Sequence, residues 1–391
     1  MILSFTINAK EVGYDFPACD VGKNDYLEKD ISEYFEKNKV PATDCMSSIL
    51  NIDDRNSLDK ITQLVRSDYD DDMYACIYSA MNKRPRVSFK SNEDWRNNTH
   101  YVSCPKEKNK STGDLTKSIN GISPIPAPCV SKNYVDYTYL IFKKVLKCLD
   151  EDPRDYFSFI NKESYFMTNI GNGNRVYGLT QLTTDPARDV NDEDGNNRDF
   201  FSKIFKEIKD KNNEYCSGLI DSLKNNPLKE SIKGKGLNAC SRASIPVNPE
   251  RVLLYGVLYF KLLRYQLDVF HETKTLKGKT KNEFFDYTFK SPEDKKKIFQ
   301  DLILYAYNGG MGTLQALLKT YSAKHPKIKN WSYEDFSRKF PSFIPTTKHC
   351  EQPKCKEISQ YVTFAKKKVK NIQDERGGLK CTNYSKSDLQ I

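Results

Sequence analysis

The sequence predicts a mainly α protein, and three observations carry that expectation. Apolar residues recur at helical spacing in residues 134–149, 252–265, 298–307 and 357–369, the pattern of helices with one buried face. No stretch of any length alternates apolar and polar residues as half-buried strands do. Hydrophobic residues make up 38% of the chain and are low in aliphatics, but 24 Tyr and 21 Phe restore the area that a core needs. Such a chain folds rather than stays disordered, and its 391 residues leave room for one large or two modest domains.

Residues 1–9 read as the remnant of a signal peptide: Ile2-Leu3-Ser4-Phe5-Thr6-Ile7 is apolar and small Ala9 follows, without the basic start of a whole signal. A first strand or an unstructured end fits the same residues. Residues 10–128 read as a separate, cysteine-containing N-terminal extension. It holds an acidic run, Asp68 to Asp72, and a helix face formed by Leu58, Ile61, Leu64 and Val65, and it ends in a Pro-rich linker, Ile122 to Pro128. A binding module, a brace and an inhibitory cover are all open as its role.

From residue 129 the pattern changes to long helices. Residues 134–149 turn Tyr137, Leu140, Ile141 and Val145 to one side. Asp152-Pro153 reads as an N-cap and first helical position, opening a helix that carries Tyr156, Phe157, Phe159, Ile160 and then Glu163-Ser164. A Gly/Asn loop, Gly171-Asn172-Gly173-Asn174, leads to a helix expected to start at Gly178-Leu179-Thr180-Gln181-Leu182. Residues 191–247 form a polar insert with one helix near residues 200–208. Asn248-Pro249-Glu250 caps an apolar helix over 252–265, where Gly256 suits close helix packing. A basic, polar insert, 272–297, precedes an apolar helix that ends in Ala306-Tyr307-Asn308-Gly309-Gly310-Met311-Gly312, with the glycines expected at positive φ. A polar connection then leads to a last helix with Tyr361, Val362 and Phe364, and residues 374–391 form a tail.

A net charge of +10 favours an anionic polymer, although a solvated Lys-rich surface explains it equally well. No helix-turn-helix, zinc-finger or RNP pattern is present, so nucleic acid is not an expected partner. The longest apolar run, 252–260, is too short to cross a bilayer, so no stable membrane insertion is expected. Eleven cysteines without a C-x-x-C pair, and only four histidines, argue against zinc and for disulfides in an oxidising compartment. Cys350–Cys355 and Cys216–Cys240 are the expected local pairs, and the odd total leaves one thiol over. His349-Cys350 as a nucleophilic pair is set aside because it sits in a polar, Pro-containing loop.

Glu163 is where the chemistry gathers. A lone acid at the end of an apolar helix is a candidate general acid, because desolvation by Phe159 and Phe166 would keep it protonated near neutrality. An ordinary exposed helical Glu is the competing reading. Five motifs in order favour the first: Asp152-Pro153 with Glu163-Ser164, Gly178-Leu179-Thr180-Gln181, Pro249-Glu250 with Gly256 and Tyr259, Ala306-Tyr307-Asn308-Gly309-Gly310, and Glu357 with Tyr361-Val362. Together they resemble the soluble, goose-type lytic transglycosylases of the lysozyme-like superfamily, glycoside hydrolase family 23.

The resemblance implies a lysozyme-like catalytic domain over 129–373, exported to the periplasm or secreted, acting as a monomer on peptidoglycan glycan strands without metal or cofactor. It implies Glu163 as the single catalytic acid/base. Ser164, Asn172, Gly178, Leu179, Thr180, Gln181, Tyr307, Asn308 and Tyr361 would bind substrate. Departures from the family pattern are Asn172 and Arg175-Val176 in the loop, Thr180 where Met is usual, and Val252 where Asn is usual; they bear on the form of glycan more than on the reaction. Two rival readings remain: a hydrolase that positions water with Asp185 or Asp189, and a non-catalytic glycan-binding protein.

Overall fold

The computed structural model describes residues 71–82, 101–103, 106–108, 115–118, 128–130, 132–167, 171–172, 176–211, 213–225, 227–230, 236–237, 241, 249–272, 275–276, 279–280, 288–325 and 330–370. The expected signal remnant, the 58–65 helix face, most of the Pro-rich linker and the tail lie outside them. The chain divides into two units, residues 1–256 with 372–391 and residues 257–371. As the sequence predicts, the described residues are predominantly helical, and their strands are short pairs.

In the first unit, α1 (Asp71–Asn82) buries Met73, Tyr74, Ile77 and Met81. It packs on α2 (Lys132–Cys148), where Tyr74 meets Tyr139 edge-on with centroids 5.7 Å apart. Between them in sequence run β1 (Tyr101–Ser103), β2 (Lys106–Lys108), β3 (Leu115–Ser118) and β4 (Pro128–Val130), pairing antiparallel as β1 with β4 and β2 with β3. The next helix, α3 (Pro153–Glu163), begins as its cap predicts: the Asp152 carboxylate accepts from the Arg154 N–H at 2.9 Å, with Pro153 in the first turn. Tyr156, Phe157, Phe159 and Ile160 are all fully buried.

A small hairpin, β5 (Gly171–Asn172) with β6 (Val176–Tyr177), leads to α4 (Thr184–Asn191). Among its described residues the polar insert then holds at least two helices where the sequence suggested one. α5 (Arg198–Asp210) buries Phe201, Ile204, Phe205 and Ile208, and α6 (Glu214–Asn225) buries Cys216, Leu219, Ile220 and Leu223; the two pack together. A disulfide joins Cys148 of α2 to Cys216 of α6, with Cα atoms 5.5 Å apart. This corrects the expected Cys216–Cys240 pair: α6 carries Cys216 to the end of α2, so closeness in sequence does not decide its partner. Cys76 is also disulfide-bonded. The apolar helix α7 (Pro249–Glu272) is 24 residues long, well beyond the expected 252–265. Residues up to Gly256 belong to the first unit.

The second unit adds two further strand pairs: β7 (Thr275–Leu276) antiparallel to β8 (Lys279–Thr280), and β9 (Thr288–Phe289) parallel to β10 (Asn330–Trp331). Its core forms around α8 (Pro292–Gly309), which packs against α9 (Met311–Lys324), α10 (Tyr333–Phe343) and α11 (Gln352–Lys370). Among its described residues the expected polar connection therefore carries two helices, α9 and α10. They enclose an aromatic cluster in which Trp331 stacks on Phe336 at 5.2 Å and Phe336 on Phe340 at 4.8 Å, with Tyr321 edge-on to Phe340 and Phe343. The predicted Cys350–Cys355 disulfide is present at the start of α11, with Cα atoms 5.4 Å apart. No helix among the described residues is long and apolar enough to cross a membrane.

Candidate active site

Glu163 is the last residue of α3 and is half-buried. Ser164, fully buried, caps the helix end: its N–H donates to the Ile160 carbonyl at 2.9 Å and its hydroxyl to the same oxygen at 3.3 Å. The hydroxyl thus serves the helix end. Tyr165 and Phe166 then both take left-handed backbone, φ 55° and 62°, which side chains other than glycine adopt at a cost. Phe166 offsets that cost by burial between Phe142, 5.3 Å away, and Phe157, 4.9 Å away. The reversal fixes the direction in which the chain leaves Glu163.

The Gly-Leu-Thr-Gln motif does not begin a helix, contrary to the sequence reading. Tyr177 and Leu182 exchange backbone hydrogen bonds of 3.1 and 2.9 Å, closing residues 178–181 into a tight turn, and α4 starts only at Thr184. Gly178 at φ 67° and Gln181 at φ 49° are the left-handed positions that make the turn. The Gln181 side-chain amide donates to the Gly178 carbonyl at 2.9 Å. Leu179 and Thr180 are completely buried, so they form the support of the turn rather than its open face, while Gln181 is half-exposed. Asn172 lies in β5 opposite Val176.

Thr180 fixes the turn against α7. Its hydroxyl donates to the Val252 carbonyl at 3.4 Å, and its side chain occupies the space over Gly256, where an added Cβ would lie 2.6 Å from the Thr180 hydroxyl oxygen. The close approach foreseen at Gly256 is thus to a turn, not to another helix. Gly256→Ala should lower stability by about 1–3 kcal/mol, the usual cost of overpacking, read as a lower urea midpoint; an unchanged midpoint would show that the turn yields without loss.

In the second unit, Tyr307 is half-buried, with ring centroids 5.6 Å from Tyr259 and 6.1 Å from Phe260. The Asn308 amide donates to Glu357 at 2.9 Å, joining the Ala-Tyr-Asn motif to the late Glu-x-x-x-Tyr-Val motif. Gly309 admits Ile358, whose Cδ1 would lie 2.8 Å from an added Cβ. Of the three glycines expected at positive φ, Gly310 alone has it, at 83°. Tyr361 is buried. Within the first unit the 178–181 turn thus packs on the start of α7, and within the second the α8 end meets Tyr259 and α11.

Asp185 is exposed in the first turn of α4, as a dipole-favoured charge should be. Asp189 lies in the second half of that helix, half-buried; burial pushes its carboxyl up, with Asp185 and Asp194 adding to the shift and Arg188 opposing it. Among the described residues no group of His, Cys, Asp and Glu is arranged to hold a metal ion.

The sequence places Glu250 in the cap of an apolar helix and beside Pro249 in a motif, with no chemical role attached to it. One of its carboxylate oxygens is sealed from solvent without a hydrogen-bond partner. Burial pushes this carboxyl up to about 7, while its own N–H, Arg251 and Lys144 pull it down. A Glu in the first turn of a strongly apolar helix was the available signal. No family model matches the chain, and neither does any curated protein or solved structure.

Proposed function

We propose that the chain is a lysozyme-like lytic transglycosylase that cleaves the β-1,4 bond between N-acetylmuramic acid and N-acetylglucosamine in peptidoglycan. The observation that carries this reading is Glu163 at the end of a capped, buried helix, partly open to solvent and followed by two left-handed residues. A carboxyl held that way can give its proton to the leaving oxygen while an oxocarbenium-like centre develops. The substrate's N-acetyl group assists at the sugar, and the Glu163 carboxylate then takes the proton from the 6-hydroxyl. That hydroxyl attacks the same sugar and closes a 1,6-anhydro ring. Cys148–Cys216 and Cys350–Cys355 fit work in the periplasm or outside the cell.

Mass spectrometry of soluble fragments from purified peptidoglycan, native and de-N-acetylated, tests this. Anhydro ends are expected from the wild type, with release lowered about 10²- to 10⁴-fold by Glu163→Gln. Reducing ends would assign a hydrolase, and no fragments from either wall would assign a glycan-binding protein.

A further inference from the structure

Three elements of the first unit converge electrostatically at the start of α7. Glu250 lies in its first turn, Lys144 belongs to α2 and Tyr215 to α6, and the Cys148–Cys216 bond ties those two helices together. The sealed Glu250 oxygen has no hydrogen-bond partner, because the Lys144 ammonium sits over the Tyr215 ring, 4.9 Å from its centroid, rather than on that oxygen. The same end of α7 carries Val252, which receives the Thr180 hydroxyl, and Gly256, which receives its side chain. Whatever seats this end of α7 therefore seats the 178–181 turn.

We propose that Glu250 is a proton-operated positioning residue: neutral, it holds the start of α7 and the docked 178–181 turn in place, and ionised, it loosens both. A neutral carboxyl tolerates an unpartnered, water-free oxygen far better than a carboxylate does. Among the described residues, the charged or titratable groups that face it are Lys144 from α2, Tyr215 from α6 and Arg251 beside it on α7. Burial pulls Lys144 and Arg251 below their ordinary values and pushes Tyr215 well above its own. A carboxyl that binds its proton more tightly when folded stabilises fully below its unfolded value of 4.5, and that contribution is lost as the pH rises through about 7. The turn carries Gln181, so the consequence for glycan cleavage rests on the proposed function, whereas the coupling itself does not.

Amide hydrogen exchange of the full chain between about pH 5.5 and 8.5, corrected for intrinsic rates, tests the coupling. In the wild type the Gln181 and Leu182 amides, bonded to Gly178 and Tyr177, should lose about tenfold protection across the transition. Glu250→Gln should stay protected throughout. Lys144→Met should move the midpoint to higher pH, because the Lys144 charge holds the carboxyl down; it decides the matter alone if Glu250→Gln does not fold. A flat wild-type profile, a Glu250→Gln profile parallel to wild type, or an unmoved Lys144→Met midpoint overturns the proposal. Loss of protection at high pH in a chain that releases no glycan would overturn the proposed function and leave this inference standing.

Discussion

Replacing Cys148 and Cys216 together by Ala should lower the unfolding free energy by about 4 kcal/mol, and replacing Cys350 and Cys355 by Ala by about 2 kcal/mol. The difference follows from loop closure. The first bond spans a sequence separation of 68 and the second only 5, and the freedom removed from the unfolded chain grows with the logarithm of loop length. Packing points the same way: α6 lies in a stretch so polar that its buried side consists chiefly of Cys216, Leu219, Ile220 and Leu223. Without the bond, that narrow face and surface contacts such as Lys209–Asp221 and Lys144 over the Tyr215 ring tie it to its neighbours. Urea midpoints with unchanged slopes would measure the two losses. Equal losses from both pairs would mean that something other than loop closure sets their contribution.

The local signals that were legible are those that one element carries by itself. Asp152-Pro153 and the four apolar residues behind it define α3, and all four are buried. The Cys350–Cys355 pair is legible because its loop is short. Cys148–Cys216 depends on where two distant helices lie, which no local pattern records. α10 was missed although its signals were present. Ser332 accepts from the Asp335 N–H at 3.2 Å, a capping pattern, and Phe336, Phe340 and Phe343 follow at helical spacing. The charged residues between them made the segment read as polar. At the candidate site, the position of Glu163 at a helix end was legible. The 178–181 turn was not, because its shape comes from left-handed Gly178 and Gln181 and from the fit of Thr180 over Gly256, a contact between residues far apart in sequence.

Lys366→Met should cost about 3–5 kcal/mol at neutral pH, far more than Asp301→Asn, at about 1 kcal/mol. Lys366 bonds both the Asp301 carboxylate and the Tyr333 hydroxyl, joining α8, α10 and α11. The two partners are unequally placed: the Asp301 side chain is 3% exposed and that of Lys366 is 41% exposed. Once Asp301 is neutral, Lys366 can turn its ammonium to water. Once Lys366 is gone, Asp301 keeps the Tyr333 hydroxyl as a partner but remains a buried charge without a counterion. Burial already pushes the Asp301 carboxyl up against the pull of Lys366 and Tyr333, and loss of the ammonium pushes it further. A carboxyl raised on folding contributes fully below its unfolded value of 3.8, and the contribution disappears as the pH rises through the folded value. Lys366→Met should therefore approach wild-type stability in acid and fall away from it toward neutrality. Urea midpoints from about pH 4 to 8 would show the gap opening, and adding Asp301→Asn to Lys366→Met should close most of it. A gap that stays constant with pH, or a double variant no better than Lys366→Met, would mean that the lost packing of the lysine stem, and not the stranded carboxylate, is what the substitution removes.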